Sequence, residues 1–396
     1  MSGRVYLDYA ATAPLLPEVR RALDSFYETS LNEVSCQANA NSLHSDGRNA
    51  FAALEDARTR IAKVLNVGPH ELVFCGCATE SSNAALTGIV FHALQNKGSV
   101  PHIVTSTVEH DATFKTVQKL EKLRLCKASY VSPNRAGFVE LDAIQQVLRP
   151  ETVLVSLIMA HNEIGAINDI AGIGQYLAEQ GILFHIDAVQ ALGKIPVNLG
   201  NLPVDLASFS AHKIGGPKGI GLLYVKNGTR IVPLLTGGGQ EAGLRSGTQN
   251  VAGAVGFATA CETVCGDISD LEAEMNRLRE LRDYLYEQLS LHSRVHAAVP
   301  CDKGSLRYLP NIVNVCVEGI ESETLILRLD LKGFSVSGGS ACSTHSLKPS
   351  RALLELGIPQ DLAQGSLRIS IAPQTTRDDI DCFITTLEDI LLSYST

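Results

Sequence analysis

The chain contains no tryptophan, and aromatic residues make up only 5% of its 396 positions. It has no apolar run of the length that spans a membrane, and its N-terminus lacks the apolar centre of a signal peptide. Lys and Arg form no cluster, and the net charge is −9. Nucleic acid is therefore not an expected partner, and we expect a cytoplasmic protein that does not bind a membrane.

The 10 cysteines lack the rhythm of a disulfide framework. Cys75/Cys77 and Cys261/Cys265 are close pairs, but neither is matched by a second pair at zinc-site spacing. The sequence therefore predicts no metal centre, and about nine of the ten cysteines are interpreted as buried free thiols. Cys342 is the exception, because a lone cysteine in a loop rich in Gly and Ser is a candidate nucleophile. For that loop alone, a surface thiol is the alternative.

What the chain does contain is a regular alternation of strands and helices. It predicts an α/β fold with a mostly parallel central sheet. A long helical region over 255–291 follows, and a shorter α/β pattern comes after it. We predict a large domain over 15–265 and a small domain formed by 1–14 and 266–396. The predicted strands of the large domain lie at 72–75, 102–106, 127–131, 153–160, 183–187 and 204–210, and those of the small domain at 312–317, 334–336 and 367–371.

Polar residues follow the predicted strands where these end. Asp187 closes the strand 183–187, and Lys213 follows the strand 204–210 ahead of a glycine-rich turn. In parallel sheets ligands bind at the carboxyl ends of the strands. A lysine placed there can attack a carbonyl, as in the Schiff base that holds pyridoxal phosphate, and a carboxylate can pair with the pyridine nitrogen of that cofactor. The alternative for the lysine alone is a solvated surface charge.

Two further stretches are candidates for phosphate binding. In 76–81, small residues lead from a strand into a helix, whose first N–H groups would face an anion. The alternative there is an ordinary turn with Thr79 as N-cap. The polar, Gly-rich loop 236–248 could reach a phosphate in the same or a neighbouring subunit, or could be only a flexible connection.

These motifs, in order, resemble those of the cysteine desulfurases of the class V aminotransferase superfamily. Members are pyridoxal-phosphate enzymes that take sulfur from L-cysteine for iron–sulfur cluster assembly and thio-modification. The resemblance implies a fold-type I PLP-dependent transferase, active as a homodimer, that passes a persulfide to an iron–sulfur scaffold protein or another acceptor. The matching stretches are 6–12, 77–81, 108–110, 162–165, 185–190, 208–213, 216–219, 237–240, 245–248, 339–343 and 366–370.

The resemblance implies a role for each matching residue around the cofactor. Lys213 would hold pyridoxal phosphate covalently and move protons at the substrate α-carbon, and Asp187 would pair with the ring nitrogen. His110 would stack on the ring and act as acid or base, and Gln190 would bond the phenolic oxygen. The phosphate would be held by Ala78, Thr79, Ser210 and His212, joined by Thr248 of the partner subunit.

On the substrate side, the resemblance implies that Asn162 and Arg368 bind the carboxylate of L-cysteine, Arg368 by a bidentate pair. Cys342 would attack the substrate sulfur and carry the persulfide. The chain departs from the family pattern at 38–42, which lacks a usual Gly and Pro and follows extra residues at 32–37. It departs again at Ala242, where a basic residue is usual.

Three other functions stay open from the sequence. A selenocysteine lyase of the same superfamily also has an active-site cysteine, so rates on L-cysteine and L-selenocysteine would decide. A class V aminotransferase without sulfur transfer needs no thiol, and the loop around Cys342 argues against it. A cofactor-free structural homologue is disfavoured by the intact Lys213, Asp187, His110 and Arg368.

Overall fold

The structure, a computed structural model, describes residues 3–28, 36–97, 99–339 and 349–394. Within these ranges the strands form three sheets. In chain order the strands are β1 (Val5–Tyr6), β2 (Leu72–Cys75), β3 (His102–Ser106), β4 (Lys127–Val131), β5 (Thr152–Ile158), β6 (Leu183–Asp187), β7 (Leu206–Ser210), β8 (Gly221–Val225), β9 (Val295–Ala297), β10 (Ile312–Val317), β11 (Phe334–Ser335) and β12 (Ser366–Ser370).

The largest sheet has seven strands in the order β2-β8-β7-β6-β5-β3-β4. Neighbouring strands are parallel from β7 to β4, and β8 runs antiparallel to both β7 and β2. Every residue of β5, β7 and β8 is buried, as in a sheet covered by helices on both faces. The predicted α/β fold with a mostly parallel central sheet is therefore confirmed.

Helices surround the sheets. Several are capped by side chains at their first turn, as α2 is by His44 and α6 by Asp169. The helices are α1 (Pro17–Tyr27), α2 (Ser45–Leu65), α3 (Ala78–Lys97), α4 (Asp111–Lys122), α5 (Leu141–Gln145), α6 (Ile170–Glu179), α7 (Val251–Cys265), α8 (Ile268–Leu289), α9 (Ser322–Leu331), α10 (Arg351–Glu355), α11 (Gln360–Ala363) and α12 (Arg377–Leu392).

The helical region predicted over 255–291 is confirmed, and it consists of two helices, α7 and α8. Asp267 starts α8 afresh, since its carboxylate accepts hydrogen bonds from the backbone N–H groups of Ser269 and Asp270. Across the described ranges no single helix is long and apolar enough to cross a membrane. Only α7 and α8 taken together, which meet at a bend of 71°, satisfy the length and composition of a span.

The strands of the other two sheets follow the central sheet in the chain, except for β1, which precedes it. Strands β12, β10 and β9 form an antiparallel sheet, and β1 pairs in parallel with β11. Leu7 therefore packs in the same core as residues of β10 and β12. A separate cluster joins the two parts of the chain, with Phe138 and Ile164 packed among Val299 and Leu353. The segment after β1 is thereby carried to the edge of the central sheet.

Candidate active site

One cavity lies where the carboxyl ends of β5, β6 and β7 meet the first turns of α3 and α4. Ten of the twelve site residues predicted from the sequence line this cavity. Cys77, the backbone of Ala10 and Ala11, and Ile158 also line it. The ten are Ala78, Thr79, His110, Asn162, Asp187, Gln190, Ser210, His212, Lys213 and Arg368.

Lys213 is presented to the cavity by a short 3-10 turn that follows β7 directly. The turn ends at Gly215, whose φ of 77° favours glycine. The Lys213 amine donates hydrogen bonds to the carbonyl oxygens of Ala10 at 2.7 Å and Ala11 at 2.8 Å. Lys194 Nζ donates to the Lys213 carbonyl at 2.5 Å, a contact that the sequence analysis missed. Hydrogen bonds thus hold Lys213 both at its side-chain amine and at its backbone carbonyl.

Asp187 lies at the end of β6, opposite Ile158 of β5, and is 4% exposed. Burial raises the pKa of Asp187, whereas the nearby His110 and Lys213 act to lower it. One carboxylate oxygen accepts the backbone N–H of Val189 at 3.1 Å. A cationic group in the cavity would stabilise the ionised form of this carboxylate, because an opposite charge at close range favours ionisation.

His110 is the N-cap residue of α4. Its Nδ1 accepts the backbone N–H of Ala112 at 3.1 Å, so the neutral ring carries its proton on Nε2. The residue before it, Glu109, is 2% exposed. Its Oε1 accepts hydrogen bonds from Ser106 Oγ at 2.6 Å and from the backbone N–H of Ile158 at 3.0 Å. Burial nevertheless raises the pKa of Glu109 to about 8.

The opposite end of the cavity is suited to an anion. Helix α3 begins at Ala78, so Thr79 lies inside its first turn and the alternative of Thr79 as N-cap is wrong. His212 Nδ1 lies 3.1 Å from Thr12 Oγ1. Burial and the charges of nearby lysines lower the pKa of His212 to about 4. A neutral His212 and the N–H groups at the start of a 20-residue helix are suitable hydrogen-bond donors for a phosphate.

Arg368 lies on β12, and its side chain is 1% exposed. Nη1 donates to the carbonyl oxygen of Asn162 at 2.9 Å, and Nη2 donates to Asp8 Oδ1 at 2.9 Å. Nε is buried and has no hydrogen-bond partner among the described residues. A buried N–H group that lacks a partner is costly, and Arg368 lines the cavity, so its guanidinium is a candidate for binding an anionic group of a ligand.

Thr248 is exposed and does not line this cavity of its own chain, so its expected role in the partner subunit's site stays a prediction. Cys342 lies outside the described residues. The prediction of buried thiols is confirmed for Cys75, Cys126, Cys261 and Cys316. It is wrong for Cys77, which is exposed in a turn that precedes α3 and lines the cavity. The remaining described cysteines are only partly buried, namely Cys36, Cys265, Cys301 and Cys382.

Both departures from the family pattern that the structure describes have defined local geometry. Ala242 is exposed and adopts φ 54° and ψ 27°, a left-handed conformation. Asn41 Nδ2 of the altered segment donates to Gln249 Oε1 at 3.0 Å. The segment 38–42 therefore contacts the residue that directly follows the candidate phosphate-binding loop 236–248.

The residues fit pyridoxal phosphate. Asp187 offers a buried carboxylate for the ring nitrogen, and Lys213 offers an amine for the aldehyde. The Oε1 atom of Gln190 is buried and lacks a partner among the described residues, while Nε2 donates to Ala10 O at 2.8 Å. A hydroxyl donor on the ligand would satisfy that oxygen. The fold and this set of groups define a fold-type I PLP-dependent transferase.

The chain belongs to the aminotransferase class-V family, whose family model matches residues 5–383. It is 42% identical over 391 residues to the cysteine desulfurase IscS of Dictyoglomus turgidum, covering 99% of this chain and 95% of the relative. A solved structure of a NifS-like protein superimposes with a TM-score of 0.88 at 35% identity, over 98% of this chain and 99% of the other. A solved structure of SspA in complex with cysteine superimposes with a TM-score of 0.78 at 29% identity, over 94% of this chain and 100% of the other.

Proposed function

We propose that the protein is a cysteine desulfurase that converts L-cysteine to L-alanine and delivers the sulfur for iron–sulfur cluster assembly or thio-modification. The observation that carries the proposal is Arg368, a buried cation with an unpartnered Nε that lines the same cavity as Lys213 and Asp187. An amino acid held by its carboxylate at Arg368 would lie in the same cavity as the lysine. The relatives named for this activity align over nearly the whole chain.

When bound, pyridoxal phosphate supplies an electron-withdrawing ring that makes the carbon–sulfur bond of an attached cysteine breakable. Lys213 would hold it covalently and move the proton at the substrate α-carbon. Asp187 would hold a proton on the ring nitrogen, and His110 would stack on the ring with its Nε2–H available for proton transfer. Ala78, Thr79, Ser210 and His212 would hold the phosphate, joined by Thr248 from a partner subunit, and Gln190 would bond the phenolic oxygen.

Asn162 and Arg368 hold the substrate carboxylate, and Cys342 accepts the sulfur. In that step the Cys342 thiolate forms a bond to the substrate sulfur and the Cβ–S bond breaks. The electron pair returns to carbon, which takes up protons to become alanine, and a persulfide remains on the enzyme. Residues on both sides of the segment that contains Cys342 lie near Glu163, the neighbour of Asn162. Ser350 Oγ donates to Glu163 Oε2 at 2.5 Å, and a Cβ on Gly339 would lie 3.3 Å from the same oxygen. These contacts support a position of Cys342 near the substrate.

We propose that the active unit is a cytoplasmic homodimer with two domains, 15–265 and 1–14 with 266–396. Exposed apolar side chains beside the loop contacts described above support the dimer, among them Leu43, Phe51 and Leu235. Light scattering at assay concentration tests it, and a fully active monomer would contradict it. A scaffold protein of iron–sulfur assembly is the proposed sulfur acceptor, which transfer of labelled sulfur would identify.

The test of the function uses L-cysteine and two variants. Wild-type protein should form alanine and add one sulfur atom to the Cys342 peptide. Cys342→Ala should keep the bound cofactor but form neither alanine nor sulfide, whereas Cys382→Ala, which removes a partly buried thiol on α12, should behave as wild type. Added sulfur on the Cys77 peptide, or full activity of Cys342→Ala, would contradict the proposal. A keto acid in place of alanine would indicate transamination.

A further inference from the structure

Asp8 contacts the residue that is proposed to bind the substrate carboxylate. Its Oδ1 accepts the hydrogen bond from Arg368 Nη2 at 2.9 Å, and the two side chains form an ion pair. The Asp8 side chain is 17% exposed and that of Arg368 is 1% exposed. The guanidinium therefore has a carboxylate partner of its own, supplied by the chain.

The backbone holds Asp8 in this position. Asp8 forms a bridge with Ser370 on β12, and Ser370 Oγ accepts the backbone N–H of Ala10 at 2.9 Å. On the other side, the N–H of Leu7 donates to Ser335 O at 2.8 Å. Because the segment is bonded on both sides of Asp8, its backbone is fixed beside β12, the strand that carries Arg368.

Arg368 contacts Asp8 and also lines the cavity. Nη1 donates to Asn162 O, Nη2 donates to Asp8, and Nε has no partner among the described residues. A ligand carboxylate bound by Arg368 would therefore share its positive charge with Asp8. Two carboxylates then lie on one guanidinium in a poorly solvated site, and like charges at that range repel.

We propose that Asp8 is a positioning residue that weakens the hold of Arg368 on the carboxylates of substrate and product, and so keeps L-cysteine and L-alanine exchangeable. The inference rests on the proposed function. Asp8 also neutralises Arg368 in the empty site, where a buried and unpaired guanidinium would be costly. The same segment orders Lys213, through the carbonyls of Ala10 and Ala11.

The test is Asp8→Asn, which keeps an oxygen for Arg368 Nη2 and removes the charge. The holoenzyme is titrated with L-alanine and with L-alaninamide, which lacks the carboxylate. We expect alanine to bind about tenfold more tightly to the variant and alaninamide to bind equally. Alanine should also raise the unfolding temperature of the variant more than that of wild type, because tighter binding stabilises the folded state more.

Asp205→Asn is the matched control. Asp205 accepts the backbone N–H of Phe184 at 2.9 Å and pairs with Lys226, away from the cavity. It should leave both titrations unchanged. In turnover, Asp8→Asn should lower KM for L-cysteine without raising kcat, a split that general damage to the fold does not produce. If Asp8→Asn does not fold, Asp8→Ser removes the same charge and should show the same tighter binding of alanine.

The inference is overturned if alanine binds the variant no more tightly than wild type, or if alaninamide changes by the same factor. It is also overturned if Asp205→Asn gives the same gain. These results leave the proposed function standing, provided that wild type binds alanine and turns over cysteine. A wild-type holoenzyme that binds neither amino acid would refute the proposed function as well.

Discussion

Replacing the buried carboxyl of Glu109, next to His110 of the site, by an amide should stabilise this protein, and the gain should grow with pH. Glu109 is surrounded by the ends of β3 and β5, and its pKa rises from an ordinary 4.5 to about 8, chiefly through burial and further through the charge of Asp187. A folded-state pKa above the unfolded one means that the folded chain keeps the proton while the unfolded chain releases it. The stability is therefore complete below pH 4.5 and declines as pH rises toward 8.

Each unit of pKa difference corresponds to about 1.4 kcal/mol, so at pH 7 the loss is about 3 kcal/mol. Glu109→Gln resembles the protonated acid and can still accept hydrogen bonds from Ser106 and Ile158. We expect it to be as stable as wild type near pH 4.5 and up to about 3 kcal/mol more stable at pH 7. Urea unfolding of both holoproteins at a series of pH values measures the difference.

Glu272→Gln, which changes an exposed carboxylate on α8, is the control and should not shift the stability with pH in this way. A Glu109→Gln protein that is less stable at pH 7, or whose difference from wild type is constant between pH 5 and 8, would refute the reasoning. Confirmation would mean that Glu109 is neutral at pH 7. Asp187 would then carry the negative charge at this end of the cavity.

Two further predictions concern other residues of the site and its surroundings. Asp187→Ala should keep the cofactor bound through Lys213 yet lose roughly 100- to 1,000-fold in kcat, because the charge that holds a proton on the ring is gone; near-normal turnover would show that another group has this role. Ala242→Gly should gain about 0.5–1 kcal/mol in urea unfolding, since φ 54° is unfavourable for alanine; a loss of stability would show that the methyl group has a packing role that outweighs the strain.

The sequence by itself determined the class of fold and most of the site. Strands β2, β3, β4, β6 and β10 have the predicted bounds, because short runs rich in strand-forming residues and bounded by polar or small residues are a local signal. The residues after β6 and β7 converge as expected, since parallel strands end at one edge of a sheet. The motif 208–213 also identifies its functional groups, among them Lys213, from residue types alone, without knowledge of distant contacts.

Other features were decided only by the tertiary structure. Asp8 and Arg368 are 360 positions apart, and their ion pair exists because β1 and β12 are brought together in the smaller part of the fold. The exposure of Cys77 and the protonation of Glu109 depend on how many other segments exclude water from each side chain. The local sequence pattern does not predict the extent of this burial, because burial is the sum of contacts from residues far apart in sequence.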